Sequence, residues 1–306
     1  MNVTVLSGGV GGARFVRGLV DVLGAPAVTV IANVGDDLEV LGLQVSPDID
    51  SILYALAGLG DEERGWGRAG ETWNALETVA ALGGEAWFRL GDRDLGLHVL
   101  RTAALRAGEP LSAVTHRIAA NLGVETRLLP ATDDRLRTWV ETPAGAFAFQ
   151  EWFVRRGYRD EVDAVRFEGA DAASPAPGVL DAIAAADLLL VAPSNPYVSI
   201  WPILAVEPIR TALGERRVPA VAVSPLVGGR AVKGPADRML ARMAGGTSPA
   251  HVASCYPGLI DALVIDASDS DEGLEVRAVV TRTLMEGADG RRRVATAALE
   301  AAAVPR

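Results

Sequence analysis

Four carboxylates sit close together early in the chain: Asp36 and Asp37 in NVGDDLEV, then Asp48 and Asp50 in SPDID. In a dinucleotide-binding protein one acid at the end of the second strand binds the ribose hydroxyls, and Asp36 or Asp37 has about the right spacing. A second acidic pair on the helix that follows exceeds what a ribose needs. Beside a phosphate these carboxylates would repel it unless a hard cation intervened. Mg2+ held by one or two carboxylates and by substrate oxygens is the usual arrangement. The alternative is that Asp48 and Asp50, in a first helical turn, complement the helix dipole by about 0.3–1 kcal/mol each. Spacing leaves both open.

The phosphate candidate is the opening stretch, where apolar MNVTVLS runs into GGVGGARF. Glycines at Gly8, Gly9, Gly11 and Gly12 let a backbone approach a ligand, and the N–H groups opening the next helix suit an anion. From Gly9 the pattern is G-x-G-x-x-R, with Arg14 where the third glycine of the dinucleotide fingerprint belongs. A tight strand–helix turn with no ligand is the alternative. Two late loops, PSNP at 193–196 and SPLVGGRAVKG at 224–234, follow apolar strands. Ser194, Asn195 and Ser224 could read a base or ribose, and Gly228, Lys233 and Gly234 could hold phosphate; ordinary turn chemistry is the competing reading. In FRLGDRD, Asp92 can cap a helix while Arg89 and Arg93 stay available to a ligand, or all three serve a capped helix start with surface ion pairs.

Several chemistries are excluded. No GxxxxGK[ST] is present, so hydrolysis of the P-loop kind is not expected, and no GxSxG elbow supports a hydrolase. His98, His116 and His251 have no metal-ligand spacing and read as packing or helix-surface residues. Cys255 is the single cysteine, so neither an intrachain disulfide nor a cysteine metal cluster can form.

The elements that must position these groups alternate strand and helix. AVTVIAN at 27–33 is a second buried strand, completing a βα-β unit and starting a parallel sheet. Ser46 and Pro47 suit the N-cap and first position of a helix. Helices are expected in ETWNALETVAAL, after Gly91–Asp92, and from Leu111 to Asn121, with AWFRL a short strand or extended piece. A strand ends at Pro130, a β-hairpin turns at Pro143–Gly145, and SPAPG at 174–178 is the nearest feature to a linker. Apolar strands then lead into a helix near Pro202, a helix from about Pro235, strands in DALVIDASD and LEVRAVVTRTL, and a closing helix from about Arg291 to Val304. The fold class is α/β: one Rossmann-like domain over 1–306, with a mainly parallel sheet and helices around it. Residues 60–178 are expected to form an inserted helical and β-hairpin cap. The chain has 306 residues, 49% of them hydrophobic and 22% charged, which fits a globular protein with a large core. A net charge of −10 argues against nucleic-acid or anionic-membrane partners. No run is long enough to span a bilayer and no targeting segment is apparent, so the cytoplasm is the expected location.

Together, SGGVGGARF, NVGDDLEV, SPDIDSILY, GWGRAGETW, LGDRDLGLH, LLPATDD, FQEW, APSNPYVSI and VSPLVGGRAVKGPA resemble the 2-phospho-L-lactate transferase family of coenzyme F-420 biosynthesis, in family order. The longer GGVGGARF, GWG…ETW and FQEW forms resemble its actinobacterial phosphoenolpyruvate transferase branch. The resemblance implies a guanosine diphosphate-type donor carrying enolpyruvate or lactate, and as acceptor the ribityl hydroxyl of the deazaflavin Fo. GMP would leave, giving dehydro-F-420-0 or F-420-0. It further implies that Asp50, Arg89 and Asp92 bind Fo, that Asp48 and Asp50 are catalytic and hold Mg2+, that the glycine turn and both late loops hold the nucleotide, and that the protein is a homodimer. Trp201 stands where the family has a small residue, and Arg89 at a position basic in some members and acidic in others. Two other classes compete: a nucleotide-sugar-binding regulatory protein of a related GG-rich family, which needs no acceptor pocket, and an NAD-dependent oxidoreductase, disfavoured by Arg14 and the surplus acids.

Overall fold

Apolar, β-branched runs build the centre of the molecule. A computed structural model describes residues 1–302, so Val304 of the expected closing helix lies outside the described residues. Seven strands form the main sheet: β1 (Val3–Ser7), β2 (Val28–Ala32), β3 (Arg127–Pro130), β4 (Leu188–Val191), β5 (Ala220–Val223), β6 (Ala262–Asp266) and β7 (Arg277–Thr281). Their order is β7-β6-β5-β4-β1-β2-β3 and every pairing is parallel. Strands β1, β4, β5 and β6 are buried along their whole length, which is why they read as continuous apolar runs without alternation. The chain starts in the middle, winds outward through β2 to β3, and returns to β4 on the other side of β1. The winding therefore reverses between β1 and β4, and the carboxyl ends of those strands open a crevice. This is the expected Rossmann-like α/β architecture.

Helix α1 (Gly9–Leu23) leaves β1 directly and packs on α2 (Pro47–Ala57) and on the closing helix Gly287–Ala302. Between α2 and β4 lie α3 (Asn74–Ala81), α4 (Asp92–Arg106), α5 (Leu111–Asn121) and a small antiparallel sheet. That sheet contains the expected hairpin, Arg137–Thr142 with Gly145–Ala148, and an additional third strand, Ala164–Glu168. The 60–178 segment thus supplies β3 to the main sheet as well as covering elements. AWFRL forms no strand: Phe88 and Leu90 instead pack with Val40 and Val45 in a small second cluster. SPAPG is tied down through a Thr132–Pro175 bridge and a Ser174 N–H bond to Asp134. The helix expected near Pro202 begins earlier, as a π turn over Pro196–Ile200, and continues as Trp201–Leu204. Trp201 is accommodated there edge-on to Tyr197 (4.7 Å between centroids), with its indole N–H donating to the Cys255 carbonyl at 3.0 Å. Among the described residues no helix is long and apolar enough to cross a membrane.

Two helical glycines make opposite demands. A Cβ on Gly18 of α1 would stand 2.5 Å from the Arg291 carbonyl oxygen of the closing helix, whereas one on Gly96 of α4 would meet nothing within 4 Å. Gly18→Ala should therefore lower unfolding free energy by about 1–2 kcal/mol net of its propensity gain, and Gly96→Ala should raise it by about 0.5–1 kcal/mol. Urea denaturation of both variants checks the opposite signs; a stabilised Gly18→Ala would contradict the close helix seam.

Candidate active site

β2 ends at Ala32, and the next side chain organises the crevice. Asn33 is fully buried, and its Nδ2 donates to Asp36 Oδ1 at 2.7 Å, Asp48 Oδ2 at 2.9 Å and the Val198 carbonyl at 3.1 Å. Its Oδ1 accepts from the Gly35 N–H at 2.8 Å. One amide thus joins the end of β2, the start of α2 and the π turn. Pro47 opens α2 as expected, but Ser46 does not cap its own helix: its hydroxyl donates to Asp37 Oδ2 at 2.7 Å. Asp48 reaches across to α1, where its carboxylate accepts from the Gly9 N–H. It lies so close that a Cβ on Gly8 would be 2.5 Å from Asp48 Oδ2, so this turn needs glycine for a neighbour within the chain itself.

These acids are short of positive charge. Burial, reinforced by neighbouring Asp48, pushes Asp36 well above the usual carboxylate range, against the Asn33 hydrogen bond. Burial lifts Asp48 to about 6, opposed by Asn33 and the Gly9 N–H. It lifts Asp37 to about 7, opposed chiefly by Arg137, and Asp37 Oδ1 is buried without a hydrogen-bond partner. A hard divalent cation fits this donor set: two carboxylates share one amide, and an orphaned carboxylate oxygen lies nearby. Among the described residues no three acidic, histidine or cysteine side chains close into a cage. Mg2+ usually takes only one or two protein carboxylates, its other ligands being water or substrate oxygens, and the pair on the Asn33 amide fits that number.

Asp50 has a counter-ion. Arg101 of α4, with no exposed surface, engages it in a bidentate pair, Nη1 to Oδ2 at 3.0 Å and Nη2 to Oδ1. The same Nη1 donates to His98 Nδ1 at 3.3 Å. Burial drives His98 down to about 4, so its imidazole is neutral at physiological pH. Beside them Tyr54 donates to Asp94, whose carboxyl burial lifts to about 6. Arg101 and Asn33 are the groups that motif reading missed. The spacing of Asp94, His98 and Arg101, polar residues on one helical face, is the available signal for Arg101.

The glycine turn and the 193–196 loop meet at the crevice. A Cβ on Gly11 would lie 2.7 Å from the Pro193 carbonyl oxygen, and one on Gly12 2.4 Å from Ser7 Oγ and 2.8 Å from Ser194 Oγ. Ser194 donates to the Gly8 carbonyl at 2.7 Å, Asn195 Oδ1 accepts from the Tyr197 N–H, and Ser224 Oγ accepts from the Leu226 N–H. Ser194 thus ties its loop to the glycine turn, and Asn195 and Ser224 hold their own loops in shape. Gly228 and Gly234 turn the 224–234 loop with positive φ, and Lys233 Nζ donates to the Gly65 carbonyl at 3.0 Å. Asp92 does not cap its own helix. It accepts from the Thr72 hydroxyl and from the Ala75 and Asn74 N–H groups at the start of α3, which hold it near 2. Glu71 returns the favour in space, taking the Arg93 and Asp94 N–H groups that open α4. Arg89 is exposed and stacks over Trp73 at 4.4 Å; no hydrogen bond or ion pair joins Arg89 or Asp92 to Asp50.

A family model described as 2-phospho-L-lactate transferase CofD matches residues 3–298. A phosphoenolpyruvate transferase of Streptomyces griseus is 44% identical over 313 residues, covering 99% of this chain and 98% of that protein. Another, of Streptomyces coelicolor, is 46% identical over 284 residues, covering 91% and 89%. A crystal structure of a UPF0052-family protein from Bacillus halodurans shares the fold, with a TM-score of 0.67 at 18% identity over 97% of this chain and 98% of that one. The chain belongs to the 2-phospho-L-lactate transferase CofD family and is a transferase.

Two predictions test the electrostatics. Asp37 and Asp48 ionise in the folded protein near 7 and 6, above their ordinary 3.8. Their contribution to stability is thus full below pH 3.8 and is lost as pH rises through that window. Metal-free protein should lose thermal stability across it, and Mg2+ should raise Tm more at pH 8 than at pH 5.5, because cation and protons compete. A Mg2+ shift that is larger at acid pH would contradict this. Separately, Arg101→Met leaves Asp50 buried without its counter-ion and should cost about 3–5 kcal/mol in denaturant unfolding; an unchanged midpoint would refute the pairing.

Proposed function

We propose that this member of the family transfers a phosphoenolpyruvyl, or 2-phospho-L-lactyl, group from a guanosine diphosphate-type donor to the terminal ribityl hydroxyl of Fo in coenzyme F-420 biosynthesis. The observation that carries the reading is the acid cluster at the winding reversal. Asp48 lies against the first amide of α1 while Arg101 grips Asp50 in a bidentate pair. The names of the relatives support enolpyruvyl as the first choice of group.

The hydroxyl oxygen of Fo attacks the phosphorus that bears the three-carbon acid. The bond from that phosphorus to the oxygen bridging the diphosphate breaks, GMP leaves with the electron pair, the hydroxyl proton is released, and a phosphodiester results. In such a reaction the protein contributes chiefly position and charge neutralisation. Asp50, fixed from behind by Arg101, accepts the hydrogen bond of the incoming hydroxyl and orients it. Asp48 and Asp36, sharing the Asn33 amide, are the pair we assign to the cation, with Asp50 as a further ligand candidate. When bound, Mg2+ would neutralise diphosphate oxygens. Asp48 takes the Gly9 N–H, and the N–H groups that follow it in the first turn of α1, which have no side-chain cap, supply donors to phosphate. The loops at 193–196 and 224–234 wall the nucleotide, and Arg89 over Trp73 offers the deazaflavin a cationic edge.

Incubation of the protein with Fo, enolpyruvyl donor and Mg2+, read by mass spectrometry, should give the phosphodiester and GMP; the lactyl product would be heavier by a pair of hydrogens. Asp48→Asn and Asp50→Asn should each lower the rate by about 10²–10³ or more with circular dichroism unchanged. Full activity of both variants would overturn the assignment of these acids, and no transfer by the unmodified protein would overturn the reaction.

A further inference from the structure

Arg14 and Lys233 are far apart in sequence and meet over one glycine. Measured from the position a Cβ on Gly65 would take, Lys233 Nζ lies at 3.4 Å and Arg14 Nη2 at 3.7 Å. Neither makes an ion pair with a carboxylate among the described residues, and the one hydrogen bond of the lysine goes to the Gly65 carbonyl. Partial burial and the nearby guanidinium lower the Lys233 pKa. In a chain of net charge −10, two adjacent uncompensated cations repel each other, and an anion between them relieves that repulsion.

The surroundings hold the pair in place. Arg14 is in the second turn of α1, and a helical side chain leans toward the N-terminus of its helix, here toward the glycine turn. Lys233 follows the short hairpin of Leu226–Val227 with Arg230–Ala231 and precedes Gly234, whose φ of +76° bends the loop. Gly65 belongs to a closed loop. Its neighbour Arg64 bonds to Asp61 through both main chain and side chain, each at 2.7 Å, and to the Arg68 carbonyl at 2.8 Å, while Gly60 bridges Arg68.

We propose that Arg14 and Lys233 form a two-pronged clamp for a diphosphate, with the Gly65 carbonyl setting the lysine. An arginine fork alone would serve a carboxylate; a fork and a point charge from separate elements suit an anion whose charge spreads over two groups. That the diphosphate belongs to a guanosine nucleotide rests on the function proposed above; the clamp itself does not.

Calorimetric titration with sodium pyrophosphate, GDP and guanosine separates the two claims. Pyrophosphate and GDP should bind roughly tenfold more weakly to Arg14→Gln and to Lys233→Gln. Arg14→Lys should recover part of the loss, and guanosine binding, unchanged, should report an intact fold. Unaltered pyrophosphate affinity in both glutamine variants would overturn the clamp. Pyrophosphate binding that depends on both residues, in a protein that binds neither GDP nor guanosine, would uphold the clamp and remove the guanosine reading.

Discussion

Burying carboxylates without enough positive charge is the constraint around which this molecule is arranged. Ionised groups in a low-dielectric interior are costly unless hydrogen-bonded or paired. Asp36, Asp48 and Asp50 are nonetheless all buried, at the point where the sheet reverses its winding. The chain meets this with local devices: the shared Asn33 amide, the Ser46 hydroxyl on Asp37, the first amide of α1 on Asp48 and the Arg101 fork on Asp50. These hold the acids in place without neutralising all of them. The deficit left at Asp36, Asp37 and Asp48 is what the proposed divalent cation would fill.

Close packing follows from the same arrangement. Gly8, Gly11 and Gly12 let α1 and the 193–196 loop close on Asp48 and on one another, so the glycine turn is shaped first by protein neighbours. The hydroxyl and amide groups of Ser194, Asn195 and Ser224 support loops, so the proposed ligand contacts fall to backbone donors and to Arg14 and Lys233. Division of labour between a rigid scaffold and a few unpaired charges is what phosphoryl transfer by positioning requires.

Much of this was legible in the sequence because the signals were local. Fully buried parallel strands appear as unbroken apolar runs, α5 has the bounds its pattern implied, and the hairpin at Pro143–Gly145 follows from alternation around a turn. What escaped depends on groups distant in sequence. Asp92 was expected to cap its own helix, yet it caps α3 while Glu71 caps α4, an exchange that becomes visible only once the 71–92 segment folds back on itself. Ser46 has the residue type of an N-cap but spends its hydroxyl on Asp37. Arg101 lies on a helix of weak amphipathicity, and its role becomes visible only with Asp50 opposite it. The π turn at Pro196–Ile200, with Tyr197 edge-on to Trp201, likewise follows from no spacing rule.

Whether the acids around Asn33 form the proposed cation and diphosphate site is tested most directly by a crystal soaked with Mn2+ and GDP and measured at the manganese absorption edge. An anomalous peak is expected within coordination distance of an Asp48 carboxylate oxygen and of a diphosphate oxygen. A diphosphate bound in the crevice with no manganese at Asp48, or manganese bound only away from these acids, would contradict it.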